Sequence, residues 1–211
     1  MKQKAFIDNP ELWRAVDVLH DGGVVAVATE TYYGLAVDPF NLSALERLFS
    51  IKGRPDRKPV LVLLGAQEDV DRVVAHVPPQ MKELMGRWWP GALTLIMPAR
   101  PLVPERITAG TGTIGVRLSG CQEARQLASA FGGVITGTSA NLSGGRPATS
   151  AAEVRALFGD AVELILDGGT TVGGAGSTLV GTNEAGHFTC LRQGCIPFED
   201  IVAPSPEIDV F

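Results

Sequence analysis

The stretch "KGRPDRKPVLVLL" (residues 52–64) joins the end of a predicted helix to a predicted buried strand. Its last five residues are all apolar, which is typical of a strand covered on both faces of a sheet. The eight residues before them carry four cations and one acid. We expect this basic loop to be exposed, and two interpretations stay open: an ordinary solvated surface, or a site for a strongly anionic ligand.

Helices and short apolar strands alternate on both sides of this stretch. Because several strands are apolar on both faces, the pattern predicts an α/β domain with a twisted mixed β-sheet flanked by helices. We expect residues 1–211 to form a single domain, with a core of about 10–195 and a Pro-rich surface tail at 196–211. Helices are predicted over about 10–21, 44–52, 67–76, 79–88, 121–131 and 151–158, and strands over 24–28, 35–37, 60–64, 92–97, 113–118, 134–136, 162–167 and 177–181.

Three of these helices carry capping signals at their first residues. Asn9 precedes a proline, and this pair is typical of a helix start. Ser43 is followed at the capping-box spacing by Glu46, and Ser150 is followed in the same way by Glu153. The spacing therefore predicts that these helices begin directly after Asn9, Ser43 and Ser150.

The composition argues against several classes of protein. A net charge of −5 disfavours a protein that coats nucleic acid, although it leaves room for a local basic cleft. No apolar run reaches the roughly 18 residues of a membrane helix, and the first residues lack the apolar stretch of a signal peptide. Three sparse cysteines suit a reducing cytosol and, with three scattered histidines, give no zinc-site spacing. We therefore expect a cytoplasmic globular protein with no membrane contact.

Four polar segments, at 29–34, 52–59, 136–146 and 168–178, each enter or leave a predicted buried strand. Loops at strand ends are where α/β sheets usually bind ligands. None of the segments matches a phosphate-loop pattern, and a strand follows the Gly-rich segment where a dinucleotide site would need a helix. The hydroxyls and amides of "TSANLSGG" (138–145) fit either a turn or a cradle for phosphate or sugar, and composition does not decide between them.

Seven short motifs follow one another at characteristic spacing along the chain. They are "TETYYGL" (29–35), "KGRP" (52–55), "WWPGALTL" (88–95), "TIGVRL" (113–118), "TSANLSG" (138–144), "GAGSTLV" (174–180) and "CLRQG" (190–194). In this order they strongly resemble the YrdC family, whose members are threonylcarbamoyl-AMP synthases. The resemblance covers roughly residues 10–195 and implies a YrdC-like fold with a concave substrate cleft, in the short form without an additional C-terminal domain.

The resemblance implies a reaction in which L-threonine, bicarbonate and ATP give L-threonylcarbamoyladenylate and pyrophosphate. The product would feed a separate threonylcarbamoyl-transfer complex, which modifies adenosine 37 in tRNAs that read ANN codons. Mg²⁺ would accompany ATP without dedicated protein ligands. The family also suggests a weak contact with tRNA itself.

The family's functional residues map onto ten positions of this chain. Lys52 and Arg54 would be catalytic and would contact ATP. Because no His lies in the four polar segments, no His general base is expected; the carbamate of threonine is already an anion and can attack the α-phosphorus directly. The other implied ATP contacts are Lys58, Thr113, Ser139, Asn141 and Arg192, and the implied contacts to threonine are Thr31, Arg117 and Thr138.

Three other readings stay open on the sequence alone. The same fold could serve as an RNA-binding module, which the acidic net charge disfavours. It could belong to an enzyme that forms a carbamoyl adenylate from carbamoyl phosphate, although such domains occur fused to others. It could also be an inactive paralogue, and the intact "KGRP" and "SAN" motifs argue against that.

Overall fold

The computed structural model describes residues 9–53 and 58–203. The predicted catalytic residue Arg54 therefore lies outside the described residues, as do the rest of the basic loop to Arg57, the first eight residues and the last part of the predicted tail, 204–211.

The described residues contain seven α-helices and ten strands. None of these helices is long and apolar enough to cross a membrane. The helices are α1 (Pro10–His20), α2 (Leu42–Lys52), α3 (Pro79–Trp88), α4 (Glu105–Thr108), α5 (Gln122–Phe131), α6 (Ala151–Phe158) and α7 (Phe198–Val202), with short 3₁₀ helices at Gln67–Arg72 and Gly159–Ala161. The strands are β1 (Val25–Ala28), β2 (Tyr33–Ala36), β3 (Val62–Leu64), β4 (Leu93–Pro98), β5 (Thr113–Arg117), β6 (Val134–Thr136), β7 (Thr138–Ser139), β8 (Leu164–Leu166), β9 (Thr178–Thr182) and β10 (Phe188–Arg192).

The predicted α/β class with mixed strand pairing is confirmed, and the strands are divided between two sheets. The first sheet has the order β7-β2-β1-β8, and only the β1–β8 pair is parallel. The second has the order β10-β9-β4-β5-β3-β6, with β3–β5 and β4–β9 parallel. Helices α1 and α5 share an apolar cluster with residues of both sheets, among them Val27 and Ile135.

The chain passes from one sheet to the other at Gly137. This residue separates β6 in the second sheet from β7 in the first, and its N–H donates to the carbonyl of Leu61 at 2.9 Å. A Cβ at this position would lie 2.6 Å from Cγ of Leu63, so a larger residue would displace the leucine side chains that pack against Gly137. The predicted single sheet is wrong in this respect, because two strands adjacent in sequence take hydrogen-bonding partners in different sheets.

Two of the three predicted helix starts are confirmed. The Asn9 side chain accepts a hydrogen bond from the N–H of Glu11, and the Ser150 hydroxyl accepts one from the N–H of Glu153. Helix α2 begins earlier than predicted, because Asn41 is its N-cap and accepts from the N–H of Ala44 at 3.1 Å. Ser43 therefore lies inside the helix.

The helix predicted over 67–76 is wrong beyond its first residues. A 3₁₀ helix ends at Arg72, and the chain then pairs with the end of β4. Val74 forms a bridge with Ala99, and the N–H of Ala75 donates to the carbonyl of Pro98 at 2.9 Å. Pairing with a distant strand thus replaces the helical hydrogen bonds that local sequence favours.

The corrected start of α2 gives a test by substitution. We expect Asn41→Ala to lower the free energy of unfolding by about 1 kcal/mol, because the N-cap acceptor is lost. Ser43→Ala is the matched control and is expected to change it by less than about 0.5 kcal/mol, since Ser43 is exposed within the helix. Urea denaturation of both variants measures the difference, and a larger loss for Ser43→Ala would contradict the assigned cap.

Candidate functional site

A pocket of about 480 Å³ lies where the four polar segments of the sequence meet. Thr31, Lys58, Ser139 and Gly176 are one lining residue from each segment. Strands of both sheets also contribute, so the pocket is bounded by β2 and β7 on one side and by β4, β5, β9 and β10 on the other. The structure therefore brings together segments that are up to about 150 residues apart in the chain.

The predicted site residues divide into those that line this pocket and those that do not. Lys52, Thr113 and Asn141 are described but are not among the lining residues, and Arg54 lies outside the described range. The predicted residues that line the pocket are Thr31, Lys58, Arg117, Thr138, Ser139 and Arg192.

A tight turn, stabilised by the hydroxyl group of Thr29, places Thr31 in the pocket lining. The hydroxyl of Thr29 donates to the carbonyl of Tyr32 at 2.7 Å and accepts from the N–H of Thr31 at 3.2 Å. Such side-chain to backbone bonds are how threonine fixes a short loop between strands. The turn thus holds Thr31 on a rigid backbone between β1 and β2.

The Gly-rich segment is fastened to this turn. The N–H of Gly173 donates to the carbonyl of Thr31 at 2.7 Å, and the hydroxyl of Tyr32 donates to the carbonyl of Gly174. A Cβ on Gly173 would approach the side chains of Thr149 and Tyr32, and its φ of +71° favours glycine in any case. The sequence analysis does not predict Tyr32 as a site residue, although it directly follows the predicted residue Thr31 in "TETYY".

The buried side chain of Lys52 is hydrogen-bonded to the polar segment 136–146. Its side chain is only 2% exposed, and its ammonium group donates to the carbonyls of Ser139 and Asn141, at 2.8 Å in the latter case. In return, the N–H of Ser143 donates to the carbonyl of Lys52 at 2.8 Å. The expectation that Lys52 belongs to an exposed loop is therefore wrong: it is the last residue of α2, and the helix carries it inward.

The side chains of Ser139 and Asn141 have different positions and hydrogen-bond partners. The Ser139 hydroxyl donates to Oδ1 of Asn141 at 2.6 Å and lines the pocket. The Asn141 amide donates to the carbonyls of Leu142 and Gly145. Asn141 therefore shapes the loop from within, while Ser139 faces the space where a ligand would lie.

Two arginines bring positive charge to one part of the pocket. Arg117 is 4% exposed at the end of β5, and Arg192 at the end of β10 donates to the carbonyl of Ser177 at 2.8 Å. Burial lowers the pKa of Arg192, and the nearby charge of Arg117 lowers this pKa further. Because an anion would relieve this repulsion, the arrangement favours a negatively charged ligand.

Thr113 lies at the first position of β5, at the opposite end of the strand from Arg117. Its hydroxyl is 2.9 Å from the hydroxyl of Thr111, and either can be the donor. The described residues thus place this predicted nucleotide contact outside the pocket lining.

The described residues contain no group of three His, Cys, Asp or Glu side chains that could hold a metal ion. The lining residues include the cations Lys58, Arg117 and Arg192 and, within the described parts of the chain, no carboxylate. The pocket as described therefore offers donors and positive charge, which suit phosphate and carboxylate groups.

Comparisons with known proteins agree with the motif resemblance. The family model described as "Telomere recombination", labelled Sua5/YciO/YrdC, matches residues 17–194. A threonylcarbamoyl-AMP synthase of Halorhodospira halophila is 39% identical over 71% of this chain and 78% of the relative. One of Pyrococcus abyssi is 34% identical over 95% of this chain, which spans 59% of the relative's length.

A solved structure of a relative has a similar fold. Sua5 of Pyrococcus abyssi, complexed with L-threonine, superposes with a TM-score of 0.85 at 33% identity, over 92% of this chain and 59% of that chain. The matched model covers most of the sequence, and the pocket lies within the matched region. The chain belongs to the Sua5/YciO/YrdC family.

Proposed function

We propose that this protein is a threonylcarbamoyl-AMP synthase, which converts L-threonine, bicarbonate and ATP into L-threonylcarbamoyladenylate and pyrophosphate. The observation that carries the proposal is the pocket lined by Lys58, Arg117 and Arg192 together with the hydroxyls of Thr31 and Ser139. Its positive charge complements a triphosphate and an amino-acid carboxylate. The family membership and the names of its relatives support the assignment.

The reaction needs little acid–base chemistry from the protein. The neutral amine of threonine and bicarbonate give a carbamate anion and water. An oxygen of this carbamate attacks the α-phosphorus of ATP, a P–O bond forms, and pyrophosphate leaves with the electrons of the broken bond. The contribution of the chain is to position the two anions and to stabilise the charge that develops between them.

The pocket residues divide this work between them. Arg117 would bind the threonine carboxylate through its planar fork, and Thr31 would hydrogen-bond the threonine hydroxyl. Lys58, Ser139 and Arg192 would contact the phosphates or the nucleotide. Lys52 acts on the same reaction by holding the Ser139 loop and by its buried charge, so a direct contact between Lys52 and ATP remains a prediction.

Mg²⁺ would enter this site with ATP. Because the described lining residues include no carboxylate, the phosphates and water would supply most of its ligands, which is common for this ion. When bound, it would neutralise phosphate charge. The adenylate would then pass to a separate complex that transfers the threonylcarbamoyl group to tRNA, and we place these steps in the cytoplasm.

The substrate requirement is the first test. We expect pyrophosphate release from ATP and Mg²⁺ to fall by about tenfold or more when either L-threonine or bicarbonate is omitted, because no attacking carbamate can form. Mass spectrometry of the products is expected to detect L-threonylcarbamoyladenylate. Equal release with carbamoyl phosphate in place of threonine and bicarbonate would instead assign the protein to the other carbamoyl-adenylate chemistry.

The buried position of Lys52 predicts a combined loss of stability and activity. In Lys52→Met, two inward-facing carbonyls lose a donor, so we expect the free energy of unfolding to fall by about 2 kcal/mol or more and the KM for ATP to rise. Lys82→Met, on the exposed face of α3, is the control and is expected to stay within about 0.5 kcal/mol. A Lys52→Met protein that is as stable as wild type but inactive would show a direct catalytic role instead.

Arg54 is tested by a substitution that keeps its charge. If its planar fork contacts the phosphates, Arg54→Lys is expected to lower kcat/KM by about 10²-fold with no change in thermal stability. Arg57→Lys, in the same basic loop, serves as the control. Equal turnover of wild type and Arg54→Lys at limiting ATP would remove Arg54 from the proposed phosphate site.

A further inference from the structure

Glu30 lies beside Arg117 without lining the pocket. Its Oε1 is 3.7 Å from Nη1 of Arg117, and its Oε2 accepts a hydrogen bond from the hydroxyl of Ser119. Ser119 has no exposed surface, and its hydroxyl also accepts from the N–H of Cys121 at 3.2 Å. The carboxylate is therefore fixed from one side by a buried hydroxyl and faces a guanidinium on the other.

The distance between the two charges is too long for a hydrogen bond. Among the residues that the structure describes, the buried Oε1 of Glu30 and the buried Nε of Arg117 have no hydrogen-bond partner. A bidentate carboxylate pair would have occupied the donor fork of Arg117. At 3.7 Å the carboxylate attracts the guanidinium without occupying that fork, which leaves the donors to a second carboxylate.

A counter-charge is needed at this place. Arg117 is almost fully buried, and the pKa of its neighbour Arg192 is lowered first by burial and then by the like charge of Arg117. Burial raises the pKa of Glu30, but the charge of Arg117, the hydrogen bond from Ser119 and the backbone N–H groups of Glu30 and Gly120 lower it, and the net effect is a lowered pKa. The carboxylate therefore stays ionised at neutral pH and offsets one of the two cations.

We propose that Glu30 is a positioning residue, which holds the Arg117 guanidinium in place with its donors directed to the carboxylate of the amino-acid substrate. The identity of that substrate rests on the proposed function. The link between Glu30 and Arg117 rests on their distance, their burial and their opposite charges. Without the counter-charge, Arg117 would move toward solvent, because an uncompensated buried cation is unfavourable.

The test uses Glu30→Gln, which keeps the shape of the side chain and an acceptor for Ser119 but removes the charge. We expect calorimetry to show L-threonine bound about tenfold more weakly, while the affinity for ATP changes less than about twofold. Glu83→Gln on the exposed face of α3 is the matched control and is expected to bind both ligands as wild type does. Unchanged threonine affinity in Glu30→Gln would overturn the proposal.

A double-mutant cycle separates positioning from a general effect on the fold. If Glu30 acts through Arg117, Arg117→Lys already removes what Glu30 provides, and Glu30→Gln/Arg117→Lys is expected to bind threonine no more than about twofold more weakly than Arg117→Lys alone. Losses that simply add would overturn the proposal. If Glu30→Gln does not fold, Ser119→Ala takes its place in the cycle, since it keeps the charge and only releases Oε2.

A chemical readout stays informative even if the substrate is not threonine. Phenylglyoxal modifies accessible arginines, and peptide mass spectrometry reports the modified fraction of Arg117 without any substrate. We expect Arg117 to react faster in Glu30→Gln than in wild type. Absence of threonine binding in wild type would refute the proposed function, whereas equal reactivity of Arg117 in both proteins would refute the positioning role.

Discussion

The hydrogen bonds from the buried ammonium group of Lys52 are the interaction on which the candidate site depends. A desolvated cation is tolerated only where its donors find acceptors, and here the carbonyls of Ser139 and Asn141 accept two of its hydrogen bonds. The bonds join the end of α2 to the loop after β7, so the loop cannot leave the pocket without exposing a buried charge. The first residue of the family motif "KGRP" therefore has a structural role in holding this loop.

Other charged side chains in and beside the pocket are also hydrogen-bonded to neutral groups. Backbone carbonyls accept hydrogen bonds from Lys52 and Arg192, and a hydroxyl donates one to Glu30, so neutral groups contact each of these three charges. Arg117 and Arg192 line the same cavity as the apolar residues Leu61 and Leu179. A lining that combines charged and apolar residues suits a nucleotide, which has both a charged and an aromatic part.

Features set by neighbouring residues could be predicted from the sequence, and features set by distant ones could not. The cap at Asn9, the apolar strands and the four polar segments depend on local pattern, and the structure agrees with them. The division into two sheets depends on the distant strand with which each strand pairs. The loss of helix after Arg72 depends on pairing with the end of β4. The burial of Lys52 depends on how α2 packs, and nothing in its neighbours encodes that. Glu30 was missed for a related reason: an acid in a short polar loop looks like a solvated residue until its partner is known.

The position of Arg192 has a consequence for how the protein acquires its site during synthesis. The pocket wall includes Thr29 near the beginning of the described chain and Arg192 near its end, and β10, which carries Arg192, pairs only with β9 among the described strands. The parallel pairs β1–β8 and β4–β9 also join parts of the chain that are far apart in sequence. Non-local pairings of this kind form late, because chain closure must precede them. A ribosome-bound chain that ends before β10 would therefore lack Arg192, one of the three cations that line the pocket, and the pocket wall would be complete only after β10 has paired with β9.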